Sequence, residues 1–361
     1  MNFEGNMNME DENLGTEVNA VNKQRKSIFK YLLNIVLFFA LIYLTFSILF
    51  KNEDVDAIYR IIGSASYRFI FLGFLCMVIY YLCEAINLRR TLRALNEKCT
   101  LFSAIKYVLI GIFFNSITPA ASGGQPMQIY FMHRDGIKIP TSTAALLLNL
   151  FSMQVVTITL ELVSVVFLHQ YMDEGIIILF IVGIILNLSA LTLIIIGMYS
   201  KKLSTALVNF VAKFLKLLKI KNYEKLENNM QEALDKYNES AKYIRNNKNI
   251  LIRQFLLAYV QHIAYYSVPF FVLCSFGLPT QSYVLMVALQ SIVFGTVSGI
   301  PSPGAVGVSE GAFQSIFKPI FTEHYINSAM LLHRLVSFYL PVSICAIVVM
   351  VAIFTSKKKD V

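Results

Sequence analysis

The sequence predicts an all-α integral membrane protein with six full transmembrane helices and two re-entrant helical hairpins, arranged as an inverted repeat. Three observations lead there. Of 361 residues, 56% are hydrophobic and 15% charged, with a mean hydropathy of +0.61. A soluble domain carries about 25% charged and about 45–50% apolar residues, so no large soluble domain fits beside the spans. Six stretches, about 31–50, 69–88, 141–168, 176–199, 251–276 and 328–355, are apolar over roughly the 20 residues that a helix needs to cross a bilayer. Two more, 101–132 and 282–317, are apolar but broken midway by proline and glycine, in TPAASGGQP (118–126) and GIPSPGAVGVS (299–309).

From the N-terminus, residues 1–26 read as a disordered acidic tail. Glu4, Glu10, Asp11, Glu12 and Glu17 precede the first basic residue, Lys23, whereas a secretory signal starts basic and continues apolar. The polytopic membrane domain follows over 27–355, in halves of about 27–168 and 176–355, and a basic cytoplasmic tail closes the chain at 356–361. A cytoplasmic helical insert occupies 201–249. In it Leu203, Leu207, Phe210, Val211, Phe214 and Leu218 recur at helical spacing, flanked by Lys202, Lys213, Lys216 and Lys219. This pattern fits a helix lying in an anionic membrane interface or one packed on the protein's own cytoplasmic face.

Charge placement decides whether the broken stretches cross. Lys and Arg in short loops favour the cytoplasm. Lys23, Arg25, Lys26 and Lys30 put the N-terminus inside, and Arg89, Arg90, Arg93 and Lys98 follow the second span, inside again. A full crossing by 101–132 would put the twelve Lys and Arg of 201–253 outside. If 101–132 instead returns to the cytoplasm and 282–317 returns outside, 25 of the 31 basic residues lie inside and four outside. The breakers are then hairpin tips, where Pro removes a donor and Gly allows a tight turn. Such backbone survives at membrane depth only inside protein or facing water, so the tips are expected to line a cavity. The order span, span, hairpin, span then occurs twice with opposite orientation, as in many transporters.

Ionisable groups inside spans are costly and mark cavities or partners. Arg334 stands out, because it cannot be neutralised and its planar fork suits carboxylate or phosphate. Two roles stand side by side: an ion pair with Glu310, and a phosphate anchor for a lipid head group. Both hold if substrate displaces Glu310. His333 precedes Arg334 in the chain. Asn115, Thr118, Ser122, Gly123, Gly124 and Gln125 furnish the first tip, and Pro303 and Gly304 the second. The half-helices after Pro126 and Gly304 could turn N-terminal N–H groups toward an anion. Glu84 either snorkels to the inner interface or joins the site. His262, beside Gln261, is either a core histidine or a site residue, and Glu161 is expected to pair within the bundle.

No metal or cofactor is expected, since Cys76, Cys83, Cys99, Cys274 and Cys345 lack any C-x-x-C spacing. The net charge of +9 follows the positive-inside pattern and not a nucleic-acid footprint. Gly307-Val308-Ser309-Glu310-Gly311 matches G-x-S-x-G, but that elbow needs a strand-to-helix turn in a soluble sheet. A serine hydrolase with His333 as base is therefore not expected, nor any catalytic residue.

TPAASGGQP after a broken helix, PSPGAVGVSEGAF in a second and HRLVSFYLP in the last span resemble, in that order and over about residues 25–355, the lysylphosphatidylglycerol synthase transmembrane/flippase family. That family includes the N-terminal membrane domain of the bacterial multiple peptide resistance factor. The resemblance implies a flippase for phosphatidylglycerol-type or aminoacylated lipid, active in lipid transport and antibiotic resistance. It also implies the bacterial plasma membrane, with both termini cytoplasmic. In the best-known member a separate soluble domain transfers lysine from lysyl-tRNA to the lipid. Here the chain passes from the last span into Lys357-Lys358-Lys359-Asp360-Val361, so the membrane half is expected, and phosphatidylglycerol lysyltransferase activity is the alternative. Other members serve lipid-carrier or glycolipid pathways and leave the head group open. The implied partners are an anionic phospholipid and the membrane. A separately encoded lipid-modifying enzyme and a second copy, as a homodimer, are further candidates, and nucleic acid is not.

Overall fold

The computed structural model describes residues 55–118, 121–199, 205–206, 223–279, 281–298, 300 and 303–355. The acidic tail, the first predicted span (31–50), nearly all of the amphipathic stretch 203–218 and the basic tail lie outside them. Every regular element among the described residues is helical: α1 (Val55–Ser64), α2 (Tyr67–Ala94), α3 (Leu101–Ile117), α4 (Gly124–Arg134), α5 (Ile139–Leu168), α6 (Glu174–Tyr199), α7 (Tyr223–Asn246), α8 (Lys248–Tyr266), α9 (Val268–Ser275), α10 (Tyr283–Val297), α11 (Val308–Arg334) and α12 (Leu340–Thr355). Five stretches are long and apolar enough to cross a membrane: Tyr67–Ala94, Ile139–Tyr171, Glu174–Met198, Lys248–Ser275 and Val308–Ile353. They cover the five predicted spans that fall among the described residues.

The first broken stretch is an antiparallel helix pair. Thr100 starts α3, its Oγ1 accepting the Ser103 amide at 3.1 Å. Three levels of contact then tie α3 to α4. Gly124 N donates to Asn115 Oδ1 at 2.8 Å near the tip, Gln128 lies against Gly111, and Asp135 takes Lys106 at 2.6 Å and the Tyr107 hydroxyl at the far end. A Cβ on Gly111 would lie 2.5 Å from Gln128 Cδ, so the Gln128 side chain fills the space that the glycine leaves.

The second broken stretch repeats the pattern: a short apolar helix (α10), an irregular tip, then a short helix leading to a long one. The helix α11 is not one rod. Pro319 lacks a backbone donor, and Thr322 leaves the helix at φ 60°, ψ 165°. Across this break Glu310 meets Arg334, the Phe313 ring stacks on His333 at 4.9 Å, and Gln314 Nε2 donates to Asn327 Oδ1 at 2.6 Å. The arms 308–321 and 323–334 are therefore antiparallel. The second arm continues through a π-helical turn, Leu335–Tyr339, into α12. The last long helix thus begins at 323, five residues before the predicted 328, because its first turn holds Glu323, His324 and Asn327 and carries no apolar signal.

Two further features position the site. The helix α7 of the insert docks under α5 and α6, burying Leu234, Tyr237, Ala241 and Ile244 against Ala144, Leu148 and Met198. There the Tyr237 hydroxyl donates to Gly197 O at 2.8 Å, and Arg245 reaches Met198 O. The helices α6 and α10 cross at two glycines: a Cβ on Gly183 would lie 2.1 Å from Gly295 O.

Asp173 caps α6, its Oδ1 accepting from Ile176 N at 2.8 Å, and the Ser315 hydroxyl donates to Oδ2. The Ser315 bond first, then the Ile176 amide, hold this carboxyl below its usual range. A depressed folded value stabilises the protein above the unfolded value of about pH 4, and the contribution fades as pH falls through the folded one. Asp173→Ala should cost about 0.5–2 kcal/mol. Melting curves from about pH 6 to about pH 3 should converge with those of wild type at the acid end.

Candidate functional site

The two tips face one cavity of about 330 Å³. The first tip contributes Asn115, Ser116 and Ala121, and the second Ser298, Ile300, Gly304 and Ala305. Each tip holds an alanine in the left-handed region, Ala121 at φ 50° and Ala305 at φ 51°. Such backbone costs on the order of 1–3 kcal/mol per residue and persists where surrounding structure enforces it. His333 and Arg334 line the same space, with aromatic walls from Tyr80, Tyr81, Tyr265, Phe294 and Phe338.

Arg334 is the charged centre. Its Nε donates to Glu310 Oε1 at 2.7 Å, with the two side chains 8% and 2% exposed. One terminal nitrogen donates to Gly304 O at 3.1 Å, and the guanidinium lies 4.2 Å from the Phe338 ring centroid and 5.6 Å from that of Tyr339. The π-turn sets both aromatics beside it. Gly304 sits at φ 60°, and a Cβ there would fall 2.3 Å from Phe338 Cζ, so this position requires glycine on both counts.

Glu310 is held from the other side. Its Oε2 accepts from Gly307 N at 2.7 Å and from the Ser309 hydroxyl at 3.0 Å. The N-terminus of α11, expected to face an anion, thus already holds one: the protein's own carboxylate. Ser309 is committed to this contact, and among the described residues no strand precedes it, so the context that the G-x-S-x-G elbow needs is not found there.

The remaining predicted residues separate into groups. At the first tip the Thr118 hydroxyl accepts from Gly123 N at 2.9 Å and donates to Phe114 O at 2.7 Å, while Asn115 takes the Gly124 amide. These amides at the start of α4 are spent on the turn. Ser122 lies exposed, and Gln125 is half-buried beside Pro126 on the first turn of α4. Pro303 opens the turn Pro303–Ala305. Glu84 accepts from Gln261 Nε2 at 3.3 Å and Asn149 Nδ2 at 3.5 Å, held by amides where snorkelling was one expectation. His262 is fully buried behind the wall, its Nδ1 against Ala258 O at 2.8 Å and its ring 6.0 Å from that of Tyr80.

Glu161 departs from expectation: it is wholly buried, and neither carboxyl oxygen has a hydrogen-bond partner among the described residues. The aromatic walls were not singled out in the sequence. Their signal was the doublets Tyr80-Tyr81 and Tyr265-Tyr266 inside apolar runs.

Apolar helices of membrane length, with two helix breaks meeting over a cavity lined by the arginine of a buried ion pair, define a multi-pass helical membrane protein. The chain belongs to the family described as the lysylphosphatidylglycerol synthase TM region, whose model matches residues 31–345. It is similar to a UPF0104 membrane protein of Archaeoglobus fulgidus, 22% identical over 316 residues, covering 86% of this chain and 94% of the relative. A UPF0104 membrane protein of Pyrococcus horikoshii is 25% identical over 306 residues, covering 81% and 89%. The family expected from the three motifs is the one found.

Proposed function

We propose that this protein binds the head group of an anionic phospholipid, of phosphatidylglycerol type or aminoacylated, in the cavity between the two tips and moves it between leaflets. One observation carries the reading. Glu310 occupies the donors that a phosphate would use: Arg334 Nε, the Gly307 amide at a helix N-terminus and the Ser309 hydroxyl. A lipid phosphate displaces Glu310 from Arg334, and the freed carboxylate faces the amine of an aminoacylated head group. The substrate and its counter-charge then share one site, with a carboxylate filling it between cycles.

Helix lengths support the membrane placement. The 11 residues of α4 rise about 16 Å, half of the roughly 30 Å hydrocarbon core. Antiparallel to α3, α4 carries the chain back to the face it entered from. The repeat of short helix, broken tip and short helix before a long helix supports two re-entrant elements, one in each half, of opposite orientation. The charge distribution supports cytoplasmic termini in the plasma membrane. Alternating exposure of the cavity moves the lipid.

The test is native mass spectrometry of lipid retained by the purified chain. Wild type should carry an anionic phospholipid. Arg334→Ala, losing charge-assisted bonds of about 1.5–3 kcal/mol, should bind it about ten- to a hundred-fold more weakly. Equal retention by the variant rejects this site. Binding without movement in liposomes would instead make the protein a lipid-holding partner of a separate enzyme.

A further inference from the structure

We propose that Glu161 is a proton-binding site that couples transport to a proton gradient. The proposal rests on the lipid-moving reading above and adds its energy source. Glu161 on α5 is 0% exposed, with both carboxyl oxygens unpartnered among the described residues. It sits where three helices touch. A Cβ on Gly295 of α10 would lie 2.8 Å from Glu161 Cδ and 2.9 Å from Phe180 of α6, and α6 meets the same Gly295 through Gly183.

The titratable groups facing this crossing are few. The helix α8 offers the buried Tyr266 hydroxyl and, one turn earlier, His262. From Ile176 to Met198 on α6 and from Val284 to Val297 on α10 there is no charged side chain, and on α5 itself there is none but Glu161. The nearby Ser164 and Ser291 hydroxyls bond to each other at 2.8 Å. Among the described residues a carboxylate ion here has neither counter-charge nor hydrogen bond, which a membrane interior does not tolerate. In this conformation the group is the neutral acid.

From this crossing α10 leads directly to the second tip. Asn187 Nδ2 of α6 donates to Ser298 Oγ at 2.8 Å at its end, and Gly304 beyond it holds Arg334. When the acid's O–H bond breaks, the proton passes to water as hydronium, and the carboxylate left behind must reach solvent. The helix α10 then parts from α5 and α6, and the tip moves with it. Rebinding a proton from the other side of the membrane neutralises the group and lets α10 close again. One proton crosses for each lipid moved.

The experiment uses the full chain in phosphatidylcholine liposomes, with head-group-labelled phosphatidylglycerol as probe, with and without an imposed pH gradient. The gradient should change the wild-type rate several-fold. Glu161→Gln, isosteric and permanently neutral, should show no response. Glu161→Asp, which keeps the acid, should show a partial one. Infrared spectroscopy should show a protonated-carboxyl C=O band that Glu161→Gln loses and Glu161→Asp shifts. If wild type moves lipid indifferently to the gradient, or Glu161→Gln keeps the response, the proton site is overturned and lipid transport stands. If wild type moves no lipid at all, the transport reading fails and the coupling with it. The infrared band, present or absent, then decides by itself whether Glu161 holds a proton.

Discussion

Glu310→Ala will destabilise this protein more than Arg334→Ala, and replacing both residues together by leucine and methionine will cost less than either single change. Breaking a buried pair by removing one partner costs about 3–5 kcal/mol, because an uncompensated charge is left behind. The two orphans are not equal. A stranded glutamate can take up a proton and keeps the Gly307 and Ser309 donors, whereas guanidinium stays charged. Among the described residues, stranded Arg334 keeps the Gly304 carbonyl, the Tyr339 hydroxyl and the rings of Phe338 and Tyr339, and a desolvated cation–π contact is worth about 2 kcal/mol. Packed apolar replacements for a buried pair are often neutral in stability. Unfolding free energies in bicelles, taken as a double-mutant cycle, measure the ordering. The double variant should fold yet retain no anionic lipid, which separates the pair's structural role from its binding role. A Glu310→Ala variant as stable as wild type would mean that the ion pair carries no structural weight.

Gly183→Ala should rank second. Its new methyl would sit 2.1 Å from the Gly295 carbonyl oxygen, and a backbone atom in mid-helix cannot step aside as a side chain can. The helices α6 and α10 must separate, at a cost of about 1–3 kcal/mol. Gly197→Ala on the same helix is the control. Nothing lies within 4 Å of a Cβ there, so alanine in this last turn of α6 should be neutral to mildly stabilising, by at most about 0.5 kcal/mol. A loss at Gly183 with none at Gly197, read as melting shifts, identifies the crossing as the cause. No loss at either would mean that the crossing is looser than its geometry.

Much of the scaffold was legible because a bilayer imposes its own length on a helix. The runs 69–88, 141–168 and 176–199 emerge as α2, α5 and α6 with only their ends moved. Polar residues stand at such ends, as at Arg89, Arg90 and Arg93 in α2 and Glu174 in α6, and hydropathy is blind to them. Both breaks were legible from Pro and Gly, which have no neutral place inside an apolar helix. Arg334 and Glu310 were legible as an expense that needs a partner. What the sequence concealed was the distribution of donors. Asn115 and Thr118 looked like groups offered to a ligand, but backbone amides five to nine residues along consume them. Glu161 looked like a residue with a partner, and only the packing of three helices reveals that its carboxyl oxygens have none among the described residues. A reversal between 317 and 328 was required by the predicted hairpin and last span; its exact place at Thr322 was hidden, since threonine carries no turn signal and Pro319 alone suggests no more than a kink.

The five-residue π-turn Leu335–Tyr339 has a consequence for how this segment tolerates change. A π-turn accommodates one residue more than an α-helix needs, and each residue of an α-helix advances the chain by about 100°. Deleting one amino acid there would let the segment rewind into regular α-helix, leaving the later face of α12 in register with its neighbours while swinging Phe338 or Tyr339 off the guanidinium. A one-residue deletion at this spot, ordinarily ruinous in a spanning helix, would thus change the arginine's surroundings and spare the helix that carries it.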